Sequence, residues 1–352
     1  MEERVLREIS RLNTFPAYVY DLPGLSEHAA RIRADFPHEI FYAAKANPDP
    51  EILLALRPHV DGFEVASGGE LDHVHRTVPG ARLAFGGPGK TDEELALAVR
   101  LGVERVHVES VRELPRLSGA DVLLRANLPF GVEGAALAMS GPFGMDEPEL
   151  RRCLSLLPPD VRFRGLHAHL ASGLDVEDLL KIHCQVLEWA AEFAPEEVNL
   201  GGGMAVDYGD PLWRFDWKAY AEGIPDVPFR LRIEPGRAMT AHHGWYVTDV
   251  LDVKQTRGET YAILRGGTHH LRTPVTKGHD QPFTVLGDGG RSGTATLVGQ
   301  LCTPKDVFAS RVPVRNLAPG SVVAFDMAGA YAWNISHHDF LMHPKPAFHY
   351  VT

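Results

Sequence analysis

From about Ala17 to Met239 the chain repeats one pattern: a short apolar run rich in Val, Ile and Phe, then a segment with helical periodicity. AYVYDL precedes LSEHAARIRADF, EIFYAAKA precedes DPEILLALRP, and VDGFEVAS precedes GELDHVHRTV. ARLAFGG precedes TDEELALAVRLG, and ERVHVES precedes VRELPRL. VLLRANL, FRGLHAHLAS, EEVNLGGG and FRLRIEPGR supply further strand-like runs. Apolar runs bounded by Gly or Pro read as buried strands, and spacings near 3.6 read as helices. A strand followed by a crossover helix commits the next strand to run parallel. About eight such units predict an α/β architecture with a (β/α)8 barrel over 17–240. A doubly wound open sheet is the other arrangement this order of elements allows.

Beyond Thr240 the texture changes. GWYVTDVLDVKQT, ETYAILRGG, PFTVLG, TATLVGQLC and GSVVAFDMAG are short alternating strands separated by Gly, Pro and Asp. Alternation with loop connections predicts an antiparallel sandwich or barrel over 241–352, with 1–16 packing on it.

Net charge and cysteine usage narrow the function classes. The 352 residues carry 35 Lys+Arg against 46 Asp+Glu, a net charge of −11. Without a basic block to displace counterions, nucleic acid is not the expected partner. Cys153, Cys184 and Cys302 are too few and too scattered for a disulfide framework or a thiolate zinc site. The opening MEERVLREISRLNTFP has no apolar signal core, and no apolar stretch is long enough to span a bilayer. These features predict a soluble protein of a reducing compartment, the cytoplasm, with no membrane partner.

Several polar residues stand where a barrel builds its active site. Lys45 in FYAAKANPDP ends an apolar run, and partial burial there favours a neutral amine able to form a Schiff base. Gly201, Gly202 and Gly203 in NLGGGMAVDYGD follow a strand, so backbone can approach an anion closely. The run is not a dinucleotide fingerprint, because Val206 occupies the third glycine position. GGPGKT fails as a phosphate loop for lack of a glycine at Ala84; Thr91 with Glu94 reads as a helix cap and capping box. Glu234 and Arg237 in IEPGRAM offer a carboxylate for a heteroaromatic N–H and a cation for an anion. His167, His169 and Ser172 lie in HAHLASG, and two histidines at i and i+2 on a strand raise the thought of a metal. No spacing closes such a site, so no catalytic metal is expected. Cys302, in GQLCTPKDVFA, is followed by a polar turn that argues for exposure, whereas Cys153 and Cys184 sit on helix-like runs.

Taken in order, PAYVYDL, FYAAKAN, FEVASGGEL, GPGKTDEEL, HAHLASG, NLGGG, EPGR, the Cys302 loop and AGAYAWNIS resemble the fold-type III pyridoxal-phosphate decarboxylases, the ornithine and diaminopimelate enzymes among them. That family joins an alanine-racemase-like barrel to a C-terminal β-domain. The closing NISHHDFLMHPKP resembles more narrowly the decarboxylases of citrate-based siderophore pathways. The resemblance implies pyridoxal 5'-phosphate as cofactor and Lys45 as its Schiff-base lysine. It implies that His169 stacks on the ring, that Glu234 binds the pyridine nitrogen, and that Ser172, Gly201, Gly202, Gly203, Arg237 and Tyr331 serve the phosphate. It implies Cys302 as general acid and a homodimer whose cysteine loops complete each other's sites.

Two positions depart from the family pattern. Where ornithine and diaminopimelate decarboxylases carry an acid directly after the cysteine, this chain has Thr303, and its next acid is Asp306. Relatives often have Asp where Glu64 stands. The first departure points to a substrate whose distal amine is already acylated, for example by citrate, with Arg272, His270, Thr303 and Asp306 as candidate contacts; Arg272 with His269, His270, His337 and His338 could supply the cation and imidazoles that its several carboxylates would want. The expectation is therefore decarboxylation of a citryl-conjugated α-amino acid. The alternatives are a diaminopimelate- or ornithine-type decarboxylase on a free amino acid, a racemase, a cofactor-carrying binding protein, and a metal-dependent barrel hydrolase.

Overall fold

Seven of the eight barrel strands begin on a charged residue, and this rim organises one end of the barrel. The strands are Glu39–Ala43, Gly62–Val65, Arg82–Phe85, Arg105–Val108, Asp121–Arg125, Arg162–His167, Glu197–Asn199 and Arg230–Ile233. All neighbours pair in parallel, and the strand ending at Ile233 returns to pair with the one starting at Glu39. The computed structural model describes residues 1–130, the backbone of 137–138, and residues 141–272, 280–287 and 289–352.

At the N-terminal rim Arg232 is buried. Its guanidinium lies 2.7 Å from both Glu39 and Glu104, 3.7 Å from Glu197, and 3.9 Å over the Phe41 ring. Arg105 and Arg230 complete the neutralisation of Glu197 at 2.7 and 3.0 Å. Charges this deep are tolerated only when paired, so this end of the barrel serves stability. Between the rims, Tyr42, Phe63, Phe85, Val106, Leu124, Leu166, Val198 and Ile233 are buried along the strands. Helices between successive strands start on side-chain caps, among them Asp49, Ser67, Thr91, Asp146, Asp175 and Asp216. At Thr91 the reciprocal bond from Glu94 completes the expected capping box.

The second unit comprises Met1–Leu25, Asp207–Trp213 and Thr240–Thr352, and the barrel unit comprises Ser26–Val206 and Arg214–Met239. Ala17–Asp21, counted from its sequence as the first strand of the barrel, belongs to the sheet unit. It pairs antiparallel with Gly244–Thr256 and parallel with Ala347–Val351. All five of its residues are buried, so it carries the same apolar signature as a barrel strand, and only the identity of its neighbours tells the two apart. The sheet is mixed where an antiparallel one was expected: Glu259–Leu264 also pairs parallel with Arg291–Val298. The helix Glu3–Arg11 lays Val5 and Ile9, one turn apart, against Val19, Trp245, Val247, Ala324 and Val351. Arg4 anchors it through Asp21 at 2.8 Å. Among the described residues, no helix is long and apolar enough to cross a membrane.

Candidate active site

The C-terminal ends of the barrel strands carry the polar residues that the N-terminal rim does not use. Lys45 lies in a short helical turn just past Ala43, and its Nζ stands 2.5 Å from Glu64 Oε2. Burial raises the Glu64 pKa, against the opposing pull of Lys45 and with help from the Glu234 charge. A buried carboxyl is therefore set within hydrogen-bond reach of the amine, placed to exchange a proton with it.

Glu234 follows the last barrel strand, is 6% exposed, and is held from two sides. Asn199 Nδ2 donates to its Oε1 at 2.7 Å, and His167 Nε2 stands 3.1 Å from its Oε2. Behind it the His107 and His167 rings stack at 4.3 Å, with His107 Nε2 at 3.6 Å from Oε1. Burial holds both imidazoles well below the ordinary histidine range, so both are neutral at pH 7. A neutral His167 beside a carboxylate must donate from Nε2. Its Nδ1 and the Nε2 of His107 are buried without a hydrogen-bond partner among the described residues.

The glycine turn joins this carboxylate to His169. Gly201 has φ +68° and Gly203 φ +111°, conformations that favour glycine. A Cβ on Gly201 would lie 2.5 Å from His169 Cβ, one on Gly202 2.7 Å from the Glu234 carbonyl oxygen, and one on Gly203 2.8 Å from the Ala171 carbonyl oxygen. The turn thus accepts no side chain. Its amides are less available than the sequence suggests: the Gly201 N–H donates to Asn199 Oδ1 at 2.9 Å and the Gly202 N–H to His169 Nδ1 at 3.2 Å. Burial foremost, then the charge of Lys45, pushes His169 down to about 3. His167 and His169 do not act as a pair: one faces Glu234, the other the glycine turn. Ser172 lies in a two-residue strand paired with Leu137–Ala138, and Arg237 opens the short helix that follows Pro235 and Gly236.

Two further residues shape the mouth. Glu109 accepts from Arg125 at 2.7 Å and from the Gly87 and Gly144 N–H groups at 2.9 Å each, so one carboxylate ties together the loops after the two strands that flank its own. Asn199, His107, Glu109 and Arg125 escaped sequence reasoning, although each is a polar residue inside or ending an apolar run, which is the signal that marks them.

One donor set suits a metal. Among the described residues, His107, His167 and Glu234 bring three ligand atoms within 4.8 Å of one another. The local field opposes a dication there, because Arg125, Lys45, Lys90 and Arg232 all act on His167. The wider set of residues around Glu234 fits pyridoxal phosphate better. A lysine amine, a buried carboxylate for a ring N–H, an imidazole and a turn with no side chains converge at one end of the barrel.

The other expected residues belong to the sheet unit. Cys302 is exposed, Tyr331 adopts φ +49°, and Arg272 is exposed with its N–H donating to Ser336 Oγ at 3.0 Å. Two expected substrate contacts are buried instead. His270 has no exposed surface, stands 3.3 Å from the Tyr246 hydroxyl through Nδ1, and accepts the Tyr18 hydroxyl at its carbonyl. Asp306 is 2% exposed and takes two backbone N–H groups. At both positions charge and ring chemistry were legible in the sequence, and burial was not. Thr303 closes the cysteine turn, its N–H donating to the Leu301 carbonyl at 2.9 Å.

The family model described as "Pyridoxal-dependent decarboxylase, pyridoxal binding domain" matches residues 23–241. The chain is 40% identical to the 2-((L-alanin-3-ylcarbamoyl)methyl)-2-hydroxybutanedioate decarboxylase of Staphylococcus aureus, over 95% of this chain and 94% of that one. It is 30% identical to the diaminopimelate decarboxylase of Bacteroides thetaiotaomicron, over 90% of each. Among solved structures, the diaminopimelate decarboxylase of Helicobacter pylori complexed with L-lysine superposes with a TM-score of 0.89 at 22% identity, covering 97% of this chain and 93% of that one.

Proposed function

Because the chain belongs to the pyridoxal-dependent decarboxylases, we propose that it removes the α-carboxylate of an amino acid whose side chain ends in an amide-linked, citryl-type hydroxycarboxylate, as in siderophore assembly. Pyridoxal phosphate is the cofactor, and when bound it supplies the electron sink for the charge left at Cα by loss of CO2. Lys45 would hold it covalently. Glu234, fixed by Asn199 and His167, would keep a proton on the ring nitrogen. His169 would lie against the ring. Ser172, Arg237, Tyr331 and the turn at Gly201, Gly202 and Gly203 would take the phosphate, the glycines by close approach more than by free N–H groups. Cys302 would return a proton to Cα.

One observation carries the substrate class. A free diamino acid needs a carboxylate beside the cysteine for its distal ammonium. Thr303 directly follows Cys302, and both oxygens of Asp306 are committed to backbone N–H groups inside the loop. That loop therefore offers no carboxylate to an ammonium, whereas an acylated amine asks for none. The 40% identical relative, whose name describes an alanine joined through an amide to a hydroxybutanedioate, supports the same reading. Exposed Arg272 is the residue suited to a distal carboxylate.

The same reading takes the working unit as a cytoplasmic homodimer with shared active sites. The deciding experiment incubates the reconstituted enzyme with citryl-amide conjugates and with free ornithine, lysine and diaminopimelate, identifying the amines by mass spectrometry. Preferential release of CO2 from the conjugates supports the proposal. Comparable or better turnover of a free diamino acid refutes the substrate class.

A further inference from the structure

We propose that Asp306 is a positioning residue, an internal brace whose carboxylate sets where Cys302 stands by pinning its loop to the turn that leads into His269, His270 and Arg272. The catalytic half of this inference rests on the reading of Cys302 as proton donor; the brace itself rests on geometry alone.

Asp306 Oδ2 accepts the Leu301 N–H at 2.8 Å, and Oδ1 accepts the Thr268 N–H at 2.7 Å. The two oxygens of one side chain thus join two loops, at the residue just before Cys302 on one side and one residue before His269 on the other. The backbone of Asp306 closes the cysteine loop on itself: its carbonyl accepts the Gly299 N–H at 3.1 Å, and its N–H donates to the Thr303 carbonyl at 3.2 Å. Nothing bulkier fits around the carboxylate. A Cβ on Gly267 would lie 2.7 Å from it, and one on Gly299 would strike it harder. Gln300 doubles the tie, donating its N–H to the Gly266 carbonyl at 2.8 Å and accepting the Gly266 N–H at 2.6 Å.

Burial raises the Asp306 pKa while the Thr268 and Leu301 donors lower it. A buried carboxylate is costly unless hydrogen-bonded, so its two charge-assisted bonds are the reason it can be there, and their loss releases both loops together. The pinned Leu301 amide determines where the next Cα lies, and with it the reach of the exposed Cys302 Sγ.

The test compares Asp306→Asn with wild type as holoenzyme. The amide keeps the volume but replaces one acceptor with an NH2 group facing an N–H. Hydrogen exchange of the 299–305 and 266–271 segments should accelerate by about tenfold or more, the equivalent of one lost charge-assisted bond, with the barrel strands unaffected. Alkylation of Cys302 by iodoacetamide should change by a similar factor while that of Cys184, in the barrel unit, does not. Turnover should fall with KM within about threefold, since the thiol is misplaced and cofactor binding is not touched. Unchanged exchange in both segments refutes the brace. Exchange and alkylation that rise equally in the barrel reduce Asp306 to a general stabiliser and refute positioning, as does a loosened loop with unchanged kcat. Cys302→Ala, run in parallel, keeps the two readings apart: wild-type turnover there removes the proton-donor role, while exchange at Leu301 and Thr268 still decides the brace.

Discussion

Glu234→Gln separates the electrostatic role of this carboxylate from its structural one. The substitution is nearly isosteric, and the surroundings can absorb it. The Gln oxygen keeps the bond from Asn199 Nδ2, now 2.7 Å long. Its NH2 group then faces His167 Nε2, 3.1 Å away, and must find an acceptor there. His167 can become one by moving its proton to Nδ1, an atom with no partner among the described residues to lose. Folding stability should therefore change by about 1 kcal/mol or less, a shift of about 2–4 °C in melting temperature. What disappears is the negative charge that, in the proposed role of Glu234, would face the ring nitrogen. At about 4 Å and an effective dielectric near 20 that attraction is about 4 kcal/mol, which corresponds to about a thousandfold in turnover. The assay measures kcat by amine release, cofactor content by absorbance, and thermal unfolding on the same preparation. A variant that retains cofactor and stability but loses about three decades of kcat fits the assignment. Turnover within tenfold of wild type, with cofactor bound, would refute it.

Three other outcomes follow from named contacts. Cys302→Ala should keep the melting temperature, because the side chain is exposed, while slowing return of the proton; clean amine product at the wild-type rate removes that role. Arg232→Leu should cost about 1.5–3 kcal/mol in urea unfolding, since it removes a buried cation shared by Glu39, Glu104 and Glu197 while Arg82, Arg105 and Arg230 still pair them, and a loss below about 0.5 kcal/mol would show that those three arginines suffice. His183, buried against the Tyr220 hydroxyl at 2.7 Å, is pushed down to about 3 by burial. Its contribution is complete above the unfolded value near 6.5 and is lost as pH falls, because the unfolded chain then binds a proton the native state refuses. Between pH 6.5 and 5 that is about 2 kcal/mol, so the stability gap between wild type and His183→Gln should narrow by this amount, and equal pH slopes in the two proteins would disprove it.

The repeating strand–helix pattern was enough to read a parallel barrel, and Lys45, the glycine turn and Glu234 were legible because each ends an apolar run, where a barrel places its chemistry. Periodicity reports which faces are buried and how long each element is; these are local properties, written residue by residue. The partner of a strand is not local. Ala17–Asp21 is as apolar as its barrel counterparts, and only its pairing with Gly244–Thr256 and Ala347–Val351 puts it in the sheet unit. The same holds for polar side chains: Asp306 and His270 carry the right chemistry for a substrate, but long-range packing turned both inward, and the bonds that make Asp306 a brace come from residues 38 and 5 positions away. Likewise Asn199 and His167 meet Glu234 across 35 and 67 residues of chain. Residue type and spacing decided what chemistry this protein holds; which groups face each other, and which are left to face a ligand, was decided by strand closure and burial, because contact between distant residues is a consequence of the whole packing and of no single segment.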